Sequence, residues 1–143
     1  MTHVCKLLMD AVTDAVTGLP TTGDNVRQSR VYAHDRAPAL SVRLGERRAI
    51  GIRSNAYVDV EQYIHIDISV AGSASTIDDQ LLGIDAEIYH ALMADPLLGL
   101  DFLLDVDPQG LSEPDLERAE KPKAVATSTW RYQLRHNIGN LEL

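Results

Sequence analysis

Four residues in the middle of the chain have the right types and spacing for chemistry: Asp59, Glu61, His65 and Asp67. Steps of two and four residues place side chains on one face of a strand. A histidine grouped with carboxylates can hold a divalent cation, and so support metal-dependent hydrolysis. The plainer account is the wet face of a half-buried strand, where charged side chains belong in any case, and it is the account adopted. Asp105 and Asp107 share a face in the same way, ahead of an acidic stretch, and read as solubilising. His34, His90 and His136 have no spacing that implies a shared site. The chain has no phosphate-binding glycine loop, no Gly-x-Ser-x-Gly elbow and no His-Glu-x-x-His. Cys5 is the only cysteine, which rules out an internal disulfide and a cysteine cluster, and it reads as a small packing residue. No catalytic residue, metal ligand or cofactor is assigned, and the protein is expected not to be an enzyme.

The arginines are the more unusual feature. Of 13 basic residues, seven fall between positions 27 and 53, and all seven are arginines: Arg27, Arg30, Arg36, Arg43, Arg47, Arg48 and Arg53. From Asp59 to Glu120 there are 15 acidic residues and one basic one, Arg118. A guanidinium is a planar fork suited to carboxylates and phosphates. Three uses fit: contact with the acidic surface of a neighbouring subunit, contact with DNA, or ordinary surface charge. The net charge of -8 argues against a dedicated nucleic-acid binder. No aromatic residues interleave with the arginines as a stacking platform requires. The seven are therefore interface candidates. A protomer basic at one end and acidic at the other suits head-to-tail association.

Hydrophobic periodicity supplies the elements that would carry these side chains. Val4, Leu7, Leu8, Ala11, Val12, Ala15 and Val16 predict an amphipathic helix over 3–17, stopped by Gly18 and Pro20. Residues 26–34 form a weak strand candidate and 39–45 a better one. The clearest signal is 57–71, where Val58, Val60, Ile64, Ile66, Ile68 and Val70 alternate with polar residues. Between these strands, 46–56 predicts a projecting basic loop or splayed hairpin arm, mobile until docked. A helix over 77–94 carries the stripe Ile77, Leu81, Ile84, Ile88, Ala91 and Leu92, with Ser75 or Thr76 able to cap it. Residues 97–107 predict a strand, 108–122 an exposed acidic loop, 123–135 the last strand, and 136–143 an extended tail with little to hold it. The result is a single domain over 1–143 of the α+β class. It is expected to have a mainly antiparallel sheet of about four to five strands, with both helices packed on one face. No apolar run approaches the roughly 20 residues needed to span a membrane. The N-terminal stretch, broken by Asp10 and Asp14, does not read as a signal peptide, so a cytoplasmic setting is expected.

Several strings together resemble the phage tail terminator family. They are SRVYAHDRAPALSVRLGER, VEQYIHIDISVAG, IDDQLLGIDAEIYHALMADPLLGL and the closing STWRYQLRHNIGNLEL. The resemblance covers nearly the whole chain. It implies an α+β subunit that assembles as a ring, most often a hexamer, on the last ring of the tail tube. Such a ring stops tube growth and joins the head side of the virion. The implied partners are copies of itself, the tube protein and a neck or head-completion protein, with passive contact to DNA in the ring lumen. Neck adaptors of the same virion region are the alternative the resemblance leaves open, and a small metal-dependent hydrolase is the alternative from chemistry. The family has no active site to carry over.

Overall fold

The computed structural model describes residues 2–28, 37–52, 56–117 and 122–143. Two long strands form its spine. β3 (Tyr57–Ala71) and β6 (Lys123–Asn137) pair antiparallel without a slip, from Tyr57 opposite Asn137 to Ala71 opposite Lys123. Both alternate, so an unshifted register places most of their apolar residues on one side. β2 (Ala39–Ile52) pairs with the other edge of β3, and β4 (Leu103–Leu111) with the other edge of β6. β1 (Val26–Gln28) adds to β2, and β5 (Asp115–Glu117) adds to the start of β6. The strand order is β1-β2-β3-β6-β4, with β5 pairing β6 beside that path.

The α+β class with two helices agrees with the sequence reading. The sheet has six strands, however, where four to five were expected, and the β1–β2 pair is parallel. The helices α1 (Val4–Val16) and α2 (Ile77–Ala94) lie within a residue or so of their expected bounds. Val4, Leu8, Val12 and Val16 of α1 and Leu81, Ile84, Ile88 and Leu92 of α2 form one buried cluster with the apolar strand face. Ile64, Ile66, Ile68 and Trp130, also expected in the core, are buried there, and the Trp130 indole N–H donates to Ser128 Oγ at 2.9 Å. α1 is capped by His3, whose Nδ1 accepts from the Cys5 amide at 3.0 Å. Thr76 occupies the N-cap position of α2 but makes no side-chain cap; its hydroxyl donates to Ser73 O instead. A polar cluster ties α1 to β1: Gln28 Nε2 donates to Asp10 at 2.8 Å and to Thr13 Oγ1 at 3.0 Å, while Lys6 bridges Asp10 and Gln28.

Three expectations need correction. Residues 46–52 are strand, which removes the loop and leaves the hairpin arm of the two alternatives: Arg47 lies opposite Gln62 and Ile52 opposite Val58. A β-bulge hides this from the pattern. Leu44 pairs with Ile64 but Arg47 with Gln62, so one extra residue of β2 flips the alternation. Gln62 then faces the core and stays buried, its amide donating to the carbonyls of Gly45, Glu46 and Tyr63 at 2.9–3.1 Å. Second, β4 runs through Pro108 to Leu111, and β5 lies inside the expected acidic loop. Proline is tolerated because β4 is an edge strand, where an N–H facing outward is not needed. Third, the 136–143 tail is held. His136 and Asn137 belong to β6, the Val4 amide donates to Leu141 O at 2.8 Å, and the Leu143 amide donates to Thr2 O at 3.1 Å.

Ile66 is fully buried at the centre of β3. Ile66→Ala is expected to lower unfolding free energy by about 2–5 kcal/mol, from lost transfer energy and a residual cavity. Urea denaturation of the two proteins side by side measures it; equal midpoints would contradict the register.

Candidate functional site

The odd-numbered residues of β3 point away from the helices, and among the described residues no helix covers that face. The four sequence candidates on it, Asp59, Glu61, His65 and Asp67, do not converge. Each is taken by a neighbour across the strand. Arg43 on β2 donates to Asp67 through Nε at 2.8 Å, and the Thr127 hydroxyl on β6 donates to the same carboxylate at 2.5 Å. Arg135 on β6 donates to Asp59 through Nε at 2.8 Å and lies over the Tyr57 ring, 5.5 Å from its centroid. Arg131 sits between Glu61, at 3.8 Å, and Asp107. His65 Nδ1 is 2.9 Å from Thr129 Oγ1, a cross-strand pair in direct register. Among the described residues no group of three or more metal-capable side chains is gathered.

One feature of this face was not expected. Asp59 and Asp67 belong to its polar side, yet each is only 1% exposed. Each carboxylate is shielded from water and met by a guanidinium, Asp67 by Arg43 and Asp59 by Arg135. Alternation along one strand gives the direction of a side chain but not what the adjacent strands lay over it, so nothing in β3 alone marks these two aspartates as buried.

The arginines expected to form one basic surface are distributed. Arg43 is spent on Asp67. Arg48 is on the open face, its side chain 63% exposed and 3.2 Å from Glu46. Arg47, one residue earlier, turns to the helix side, 3.3 Å from His3 Nε2 and 3.8 Å from Cys5 Sγ. Because His3 Nδ1 accepts from the Cys5 amide, a neutral ring carries its proton on Nε2, and the Arg47–His3 contact is one of packing. Arg27 lies on β1 with its residue exposed. Arg30, Arg36 and Arg53 lie outside the described residues, as do His34 and positions 53–55 of the expected 46–56 segment.

The acidic candidates also separate. Asp107 meets Arg131, whereas Asp105 Oδ1 accepts from the Val106 amide at 2.9 Å, with a register shift of β4 between Leu103 and Asp105. A cavity of about 420 Å³ opens on the sheet face between the bulge of β2 and the end of β4. Glu46, Tyr63, His65, Ser112, Thr127 and Thr129 line it, and Thr127 is already committed to Asp67. Gly45 packs closely against two of the lining residues. A Cβ there would come within 2.6 Å of the His65 ring and 2.9 Å of Tyr63 Cβ. Cys5 is buried, and desolvation raises its thiol pKa, only partly offset by Arg47. Burial and the raised pKa both favour packing over nucleophilic chemistry. Neither a protein-family model nor a curated protein matches the chain.

Two outcomes follow. Arg43→Met leaves the Asp67 carboxylate buried without its cation and should lower stability by about 3–5 kcal/mol, whereas Arg43→Met with Asp67→Leu should recover most of the loss. Thermal or urea unfolding of both variants tests this; equal destabilisation by the two would deny the ion pair its role. Cys5 should react with a thiol reagent slowly in the native protein and rapidly in denaturant, read by absorbance or mass; fast native labelling would contradict its burial.

Proposed function

We propose that this chain is a ring-forming structural subunit, a tail terminator at the head–tail junction of a tailed phage. The observation that carries the reading is the way charge is used. On the open sheet face the carboxylates are neutralised within the chain by Arg43, Arg131 and Arg135. Exposed charge remains toward both sides of the sheet, Arg48 beside Glu46 on β2 and Asp105 on β4. A protein built this way works through its surfaces. The strings that resemble tail terminators fall on β2, β3, α2 and β6, the elements that make the spine and its helix cover. On this reading copies of the chain close into a ring, most simply a hexamer, on the last ring of tube protein. The opposite side of that ring receives a neck or head-completion protein, and DNA passes through the lumen.

A neck adaptor from the same region is the second reading, favoured by the same surfaces. The hydrolase alternative draws less support, because Asp59 and Asp67 are closed over by arginines and would need both ion pairs broken before they could ligate a metal.

Virions assembled without this protein separate the first two readings. Loss of a terminator gives overlong or headless tails, measured by electron microscopy, and loss of a neck adaptor gives tails of normal length that fail to join. Particles of normal form and infectivity would count against both.

A further inference from the structure

The two flanks of α2 differ. On the flank toward α1, Glu87 accepts from the Thr21 amide at 2.8 Å and the Thr21 hydroxyl at 2.5 Å, so the chain after α1 closes that side. Two residues turn a helix by about 200°, so Tyr89 lies on the other flank. Its ring is 5.8 Å from that of Trp130 on β6. Leu82, Ala86 and Met93 share that flank with Tyr89, in steps of four, three and four residues along one stripe. Leu82 is 60% exposed and Tyr89 51%. Beside Trp130, its direct partner on β4 is Pro108, and Val106 and Leu111 face the same side, opposite Tyr132 and Ser128. Val106, Pro108 and Leu111 are all partly exposed. The stripe and this strand face form an apolar groove with an acidic rim. Asp78 and Asp79 stand in the first turn of α2. Asp85 lies between Leu82 and Tyr89 in sequence, and burial raises its pKa with no cation beside it to offset the cost. No lysine or arginine occurs between Arg53 and Arg118.

We infer that this groove docks a basic amphipathic helix of another protein, with its apolar residues on Leu82, Tyr89 and Pro108 and its lysines or arginines against Asp78 and Asp85. An apolar stripe at three- and four-residue spacing is matched by the ridges of a helix laid beside it. The charge of the rim decides which helix. Acids without a cation among them attract a basic partner and repel an acidic one. Two copies meeting through this same face would set Asp78, Asp79 and Asp85 of each against those of the other, so the face does not suit self-pairing. Arg43, Arg131 and Arg135 of a second copy are already committed to that copy's own carboxylates. The inference goes beyond the ring reading and does not rest on it.

The probe is a labelled, helix-forming synthetic peptide with leucines along one stripe and lysines on both flanks, compared with the same peptide carrying glutamates for lysines. Binding to the full chain is read by fluorescence anisotropy, and covering of Tyr89 by the emission of Trp130, the only tryptophan. The lysine peptide is expected to bind with a Kd on the order of 10 μM and to shift that emission. Leu82→Ser should weaken it about tenfold, as should Asp78→Asn combined with Asp85→Asn, while Leu82→Met should bind as the parent does. Asp14→Asn with Asp24→Asn removes the same charge on the α1 side and should leave binding unchanged. Thermal melts check that each variant is folded. If Leu82→Ser is not, Ala86→Arg, at an exposed helix position, sets bulk and like charge on the same stripe and should weaken binding as much. No binding of the lysine peptide at millimolar concentration would overturn the inference, and so would equal binding of the glutamate peptide. Equal weakening by the Asp14 and Asp24 pair would reduce the effect to general attraction and overturn it too. Self-association of the parent that Leu82→Ser abolishes would make a second copy the occupant, against the inference.

Discussion

The unbroken antiparallel ladder between β3 and β6 is the constraint from which the rest of the structure follows. Fifteen residues of each strand stay in register. Every odd residue of β3 therefore meets an odd residue of β6 on the open face, and every even residue meets an even one beneath the helices. A slip of one position would turn Ile64, Ile66 and Ile68 to solvent and push Asp67 and His65 into the helix layer. The burial of the core and the pairing of charge are thus two readings of one register. The same alignment that sets Ile64 against Trp130 sets Asp67 against Thr127 and Asp59 against Arg135.

The outer strands answer to that spine with more freedom. β2 and β4 each depart from regular pairing twice. The first irregularity of β2 is accommodated by one side chain. Gln62 faces inward and spends its amide on the carbonyls that the bulge would otherwise leave unsatisfied. A buried amide at that point is favourable only because those acceptors are there. Gly45 complements it from the other side, since any larger residue would strike His65 and Tyr63.

How much of this was legible in the sequence depends on how far each feature relies on its own strand. β3 and α2 stand out because their periods are long and unbroken, and the core residues follow from them. β2 was cut short in the sequence reading because the bulge reverses the alternation after Leu44, so Arg47 and Ala49, both exposed, fall on the helix side and the segment looks like loop. β4 was ended early because Pro108 reads as a stop unless the strand is known to lie at an edge. β1 is three residues long and carries no period at all. The candidate site suffered most from this locality. Asp59 and Asp67 were correctly placed on the polar face, but their closure under Arg135 and Arg43 depends on residues 76 and 24 positions away. The arginine segment, conversely, looked like one surface because its members are near in sequence, while the strand sends Arg47 and Arg48 to opposite faces.

That last division ties the far end of β2 to the start of the chain. Arg48 stands on the outside, while Arg47 rests against His3 and Cys5 at the start of α1. His3 in turn bridges to Glu142, and the amide of Val4 holds Leu141. A force applied to the arm of β2 is carried by a single peptide step from one face of the sheet to the other. It arrives where the first helix begins and the last residues of the chain are fastened.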